Sequence, residues 1–208
     1  MPAALPEEMR ALYRERRDAI RARLADFAAV PPAQYFYELC YCLLTPQSSA
    51  RNVDKAIRLL QAHEFFAAPF DPAPILRAKD HYVRFHLTKA KRLLKAREQF
   101  PEIAAHLHAP IAPAETRAWL VKNVDGMSLK EASHFLRNIG VRDLAIIDRH
   151  ILTHLVACGV IRSKPASLTT KRYHAIEHRF RKFAAQEGIP MDELDLLFWS
   201  REAGEILK

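Results

Sequence analysis

With 208 residues the chain can bury one good core or two small ones, and 32 Lys+Arg against 24 Asp+Glu leave a formal net charge of +8, which suits a polyanionic partner as well as a solvated basic surface. Only 5 glycines, abundant Ala, Leu, Arg, Lys and Glu and few alternating β-branched runs predict an all-α fold, while no apolar run is long enough to span a membrane and the charged start, Met1 to Asp18, is unlike a signal peptide, so an intracellular protein, cytoplasmic or at the nucleoid, is expected. The 3 cysteines, Cys40, Cys42 and Cys158, form neither a paired CxxC set nor a four-cysteine ladder, so no zinc site, iron–sulfur cluster or other cofactor is expected, and their apolar neighbours make them small buried hydrophobes.

In chain order, Pro6 starts a basic helix from Glu7 to Phe27, with Leu12, Ile20, Leu24 and Phe27 as its apolar positions, and Pro31-Pro32 ends it. The aromatic stretch Gln34 to Leu44 reads as a buried core helix, closed by Thr45-Pro46-Gln47-Ser48-Ser49. Ser48 or Ser49 is a natural cap for a helix from Ala50 to His63. Phe65 to Pro74 reads as a packed irregular connection. Tyr82 to Arg92 is a basic patch with interleaved aromatics, able to hold phosphates while an aromatic stacks on a splayed base. Phe85 as ordinary core, with Lys89, Lys91, Arg92 and Lys95 on the wet face of a helix from Thr88 to Gln99, accounts for the same residues.

The stretch from Thr116 to His150 carries the strongest signals. A short helix, Thr116 to Val121, leads into Val124-Asp125-Gly126-Met127-Ser128, and Ser128 with Glu131 three places on is a capping-box start for a helix that Gly140 stops. This is a helix-hairpin-helix over about residues 116–139. Gly126 suits a turn needing positive φ, and the free amides after Ser128 form a phosphate cradle that grips DNA backbone without reading sequence. Lys130 lies in the first turn of the second helix, where the macrodipole disfavours a cation and so favours the neutral amine that a lysine nucleophile needs. Asp148 stands eighteen residues later, as the N-cap of a helix from Arg149 to Cys158 expected against the N-terminal helix. Singly, a first-turn lysine is most often a solvated side chain and an N-cap aspartate most often only a cap.

A basic helix from Lys171 to Glu187, stopped at Gly188-Ile189-Pro190, and a last helix from Met191 to Gly204 complete the chain. Leu194, Leu197, Phe198 and Arg201 make a stripe on that last helix and Trp199 lies on another side. No fixed-period repeat is evident.

The runs LKEASHFLRNIG, AIIDRHIL and LDLLFWSREAGEILK resemble the second class of 8-oxoguanine DNA glycosylase/AP lyase, of the helix-hairpin-helix DNA glycosylase superfamily, over about Tyr35 to Lys208. The superfamily hairpin reads Gly-x-Gly, and Ser128 stands in the second glycine's place. The resemblance implies Lys130 as the nucleophile and Asp148 as the essential carboxylate. It also implies Gln47 at the DNA or the gap left by the extrahelical base, Phe85 against the oxidised base, Trp199 as a stacking wall for it, and Lys208 in its recognition. Two helical lobes are expected, residues 31–142 with the hairpin and 1–30 plus 143–208, with the site in the cleft between them. The implied partner is double-stranded DNA containing 8-oxoguanine, met by a monomer. The implied reaction is base excision through a lysine Schiff base, followed by β-elimination. A glycosylase for another damaged base, or a non-catalytic hairpin protein, shares many of these features.

Overall fold

The structure, a computed structural model, describes residues 3–204 and Ile206. Its α-helices are α1 (Glu7–Ala28), α2 (Tyr35–Leu44), α3 (Ala50–Ala62), α4 (Ala73–Arg77), α5 (His86–His108), α6 (Pro113–Asn123), α7 (Leu129–Asn138), α8 (Arg149–Ala157), α9 (Thr170–Glu187) and α10 (Met191–Ala203). No strand occurs among the described residues, so the fold is all-α as expected. No described helix is long and apolar enough to cross a membrane, and no described group of three or more His, Cys, Asp or Glu could hold a metal ion.

The chain divides into two compact units, Pro31–Phe135 and the discontinuous Met1–Val30 with Leu136–Lys208. In the first, α2 is the central element and lies on α3 and α5. Its buried Phe36 meets Phe66 at 4.8 Å and Phe100 at 5.3 Å between ring centroids, so the irregular stretch after α3 is held by aromatic packing. The fifth helix runs well beyond the expected Gln99, to His108, passing through Pro101. Pro101 is exposed, so the Arg97 carbonyl that loses its intrahelical donor is on the side where water can reach it.

In the second unit α10 is the hub, and α1, α8 and α9 all lie on it. The main partner of α8 is thus α10 rather than the expected N-terminal helix. Eight consecutive residues of α10, Met191 to Phe198, are buried, three of them acidic. Each acid is met from another segment. Asp192 accepts from the Asp143 amide at 3.1 Å, Glu193 accepts from the Tyr13 hydroxyl at 2.5 Å and the Arg21 Nε at 3.2 Å, and Asp195 pairs with Arg137 at 3.0 Å. Buried charge is tolerated only with such partners, and two of these acids also sit in the favourable first helical turn. Cys40, Cys42 and Cys158 are buried thiols, as their apolar neighbours suggested.

Candidate active site

The hairpin consists of α6, the turn 124–128 and α7. Leu120, Val124, Met127, Ala132 and Phe135 are buried beneath it, and Arg117, 1% exposed, donates from Nη1 to the Ser133 hydroxyl at 3.1 Å to tie α6 to α7. Sequence reasoning passed over Arg117, since an arginine in a mid-helix position usually points to water. Gly126 has φ +90, and a Cβ there would come within 2.8 Å of the Arg92 Cδ. The turn therefore needs glycine for its conformation and for the arginine laid over it.

Ser128 is the residue before α7, and its hydroxyl accepts from the Lys130 amide at 3.3 Å while bonding the Glu131 carboxylate. Ser128 thus caps α7 as the sequence suggested, but through the amide of Lys130 and a side-chain bond to Glu131 rather than through the reciprocal backbone bonds of a full capping box, and the hydroxyl satisfies an amide that would otherwise lack a partner. Lys130 follows in the first turn. Its side chain is 25% exposed, and its Nζ lies 3.2 Å from Glu131 Oε1. Glu131 thus pairs with the lysine and leaves it within reach of solvent.

Beside the hairpin, the start of α5 contributes Leu87, Thr88, Lys91, Arg92 and Lys95 to a shallow hollow that Asp125 completes. Lys95 Nζ pairs with Asp125 at 2.8 Å, both half exposed. Such a cationic hollow beside the N-terminus of α7 suits phosphate. Phe85, at the N-cap of α5, is 50% exposed with φ +59, so it is not core, and the Arg84 guanidinium lies 4.8 Å over its ring. Gln47 is exposed too, with φ +56. A non-glycine residue held left-handed costs about 1–3 kcal/mol. Neither serine caps α3 through its side chain: Ser49 at the N-cap makes no such bond, and the Ser48 hydroxyl accepts instead from the Arg84 amide and the Lys89 ammonium, each at 3.0 Å. Lys89 itself, expected at phosphate or on a wet helix face, is 2% exposed.

In the other unit, Asp148 caps α8, its Oδ1 accepting from the His150 and Ile151 amides at 2.8 Å each. Among the described residues Oδ2 takes no hydrogen bond. The irregular segment leading to Asp148, Leu144 to Ile147, is buried, and no strand occurs among the described residues to pair with it. Its backbone is met by α9, where Tyr173 donates to the Ala145 carbonyl at 2.5 Å and accepts from the Ile147 amide at 3.2 Å, and Glu177 accepts from the Ala145 amide at 2.9 Å. These two side chains fix the path of the chain into Asp148. Nothing in a helical periodicity singles them out. Trp199 is half-buried, with its ring 6.1 Å from that of His150. Both His150 and His154 lean on Glu202, at 3.4 and 3.2 Å, and burial pushes His154 down from the ordinary histidine range. Lys208 lies outside the described residues.

Residues 20–189 match the family model for 8-oxoguanine DNA glycosylase. The chain is 40% identical to the 8-oxoguanine DNA glycosylase/AP lyase of Fusobacterium nucleatum, over 97% of this chain and 96% of that one. It is 33% identical to that of Methanocaldococcus jannaschii, over 93% and 94%. Among solved structures, the Methanocaldococcus jannaschii 8-oxoguanine glycosylase/lyase in complex with 15mer DNA containing 8-oxoguanine is similar with a TM-score of 0.87 and 31% identity, covering 97% of this chain and 98% of that one. The Thermotoga maritima 8-oxoguanine DNA glycosylase gives a TM-score of 0.85 at 29% identity, covering 97% of each chain. A family match that takes in the capped hairpin, its first-turn lysine and the aspartate at the start of α8, with relatives aligned over nearly their whole length, makes this chain a member of the 8-oxoguanine DNA glycosylase family.

Proposed function

We propose that this protein is a bifunctional DNA glycosylase/AP lyase that removes 8-oxoguanine from duplex DNA and then cuts the strand. The observation that carries the reading is Lys130: a lysine within reach of solvent, in the first turn of the hairpin's second helix, whose start is capped by Ser128. A base inside a duplex shields its C1′, so the nucleotide is first flipped out, at a cost of a few kcal/mol that the backbone grip and the base pocket offset. Gly126 and Ser128 hold the backbone, Gln47 occupies the gap in the stack, and Phe85, Trp199 and Lys208 form the base site.

The Lys130 ammonium gives up a proton, and the neutral Nζ attacks C1′ as the bond from C1′ to the base nitrogen breaks. The base leaves with that electron pair and takes up a proton. The sugar ring opens to a Schiff base, loss of a C2′ proton follows, and the 3′ phosphate departs by β-elimination. Asp148 provides the carboxylate that orients the lysine and, still ionised, stabilises the cationic sugar as the base leaves. It then accepts the proton shed by Nζ once that nitrogen is bonded to C1′, with Oδ1 occupied by the helix amides and Oδ2 left for the chemistry. The protein acts as a monomer on DNA inside the cell.

The test uses a duplex with one 8-oxoguanine, with and without borohydride, beside undamaged and uracil-containing duplexes. The wild type is expected to give a trapped adduct on the 8-oxoguanine strand alone, and Lys130→Gln to bind the damaged duplex but trap nothing. Asp148→Asn keeps an N-cap acceptor, so its expected loss of about three powers of ten in excision rate reports the missing charge. Equal binding to every duplex with no strand scission would leave a DNA-binding module instead, and an adduct in Lys130→Gln would point to another nucleophile.

A further inference from the structure

Two exposed side chains proposed above to meet DNA, Gln47 and Phe85, share an unusual backbone state, with φ of +56 and +59. They belong to segments far apart in sequence, the turn after α2 and the loop before α5. One buried cation joins them. The Lys89 ammonium donates to the Leu44 carbonyl at 2.7 Å, the Pro46 carbonyl at 2.7 Å and the Ser48 hydroxyl at 3.0 Å, which uses all three of its protons. Two of those acceptors flank Gln47. The same Ser48 hydroxyl takes the Arg84 amide, next to Phe85, and the Lys89 amide donates to the Phe85 carbonyl at 3.0 Å to close the first turn of α5. The Leu44 carbonyl is the last of α2, at the negative end of its dipole, where a cation is favoured.

We propose that Lys89 is a positioning residue for damaged-base recognition: its ammonium locks the 45–48 turn to the start of α5, and so holds Gln47 and Phe85 in their left-handed conformations, aimed at DNA. Residues in such conformations persist only where their surroundings over-determine them, and here a three-bonded buried ion does so for both at once. Burying the ion is unfavourable in itself. Desolvation, with the Arg92 charge adding to it, brings the Lys89 ammonium down to about 8.

This inference rests on the glycosylase reading, and the experiment separates the two. Single-turnover excision of 8-oxoguanine and cleavage of a preformed abasic site are measured for the wild type, Lys89→Met, the double variant Gln47→Ala/Phe85→Ala, and the triple variant. Lys89→Met is expected to lose about tenfold or more in 8-oxoguanine excision, while abasic-site cleavage, which needs no base to be expelled, stays within about twofold. In the Gln47→Ala/Phe85→Ala background the same substitution is expected to lose less than about twofold, because the side chains it positions are gone. Equal losses in both backgrounds, or equal losses on both substrates, would overturn the proposal and leave Lys89 a purely structural ion. If Lys89→Met does not fold, Ser48→Ala, which removes one acceptor and the Arg84 tie, carries the same comparison. A wild type that excises nothing would instead sink the functional reading.

Discussion

The most consequential single residues are those whose burial the sequence conceals. Arg137 and Asp195, 58 positions apart, form an ion pair whose side chains are only 4% and 5% exposed, with the guanidinium 4.9 Å over the Phe27 ring. Burial raises the Asp195 carboxyl to about 7; Arg137 opposes the rise, and Asp148 and Asp192 add to it. Since that value lies above the ordinary 3.8, Asp195 contributes stability that is fully present below about 3.8 and lost as pH rises through about 7. Arg137→Met should therefore destabilise the protein by about 3–5 kcal/mol at pH 8, where a carboxylate is left buried alone, and by clearly less at pH 5, where that group can hold a proton. Urea unfolding at the two pH values checks this. A loss independent of pH would assign the effect to packing on Phe27. Lys89 eluded the sequence for the same reason: a lysine among Lys91, Arg92 and Lys95 reads as one more surface cation, and only the carbonyls at the end of α2 distinguish it. By contrast the role of Ser128 at the start of α7 was legible, because an N-cap serine with an acid three places on is a local signal of fixed spacing, although its amide partner is Lys130 and its bond to Glu131 runs between side chains.

At the scale of elements, helix limits were readable wherever proline or glycine sets them, as at Pro6, Gly140 and Pro190. They were misread where the stop was only statistical, as at Pro101, whose exposed side lets α5 continue. Gly126 and Gly140 share φ +90 but differ in surroundings. A Cβ at Gly126 meets the flexible Arg92 side chain, whereas one at Gly140 would lie 2.8 Å from the Cα of Ala28, in a helix backbone. Alanine at either site incurs about 1–2 kcal/mol of left-handed strain. Gly140→Ala should lose more, because α1 itself has to move. Melting temperatures are expected to fall further for Gly140→Ala than for Gly126→Ala, while Gly126→Ala should show the larger loss in duplex binding. Matching melting shifts would mean that α1 yields easily.

For the whole molecule, composition and periodicity sufficed for an all-α chain but not for which helix touches which. Helix α8 was expected on the N-terminal helix and lies on α10, since an apolar stripe records that a face is covered and not by what. The charge of +8 has a measurable consequence for association. Duplex affinity should fall linearly with salt on a log–log scale, by about 0.9 per phosphate neutralised. Lys91→Ala is expected to flatten that slope by about one, and Lys95→Ala by less, because Asp125 already neutralises Lys95. Equal changes in slope would mean that this ion pair opens on DNA.

The buried thiols bear on where such a protein has to operate. Guanine becomes 8-oxoguanine under oxidants that also attack cysteine, and the vulnerable form of cysteine is the exposed thiolate. Here Cys40 and Cys42 are 0% exposed and Cys158 4%. Desolvation holds the Cys40 thiol well above its ordinary range and raises that of Cys158 to about 11. The folded chain therefore offers peroxide almost no sulfur nucleophile at its cysteines, and the stress that creates the lesion leaves those side chains in their reduced state.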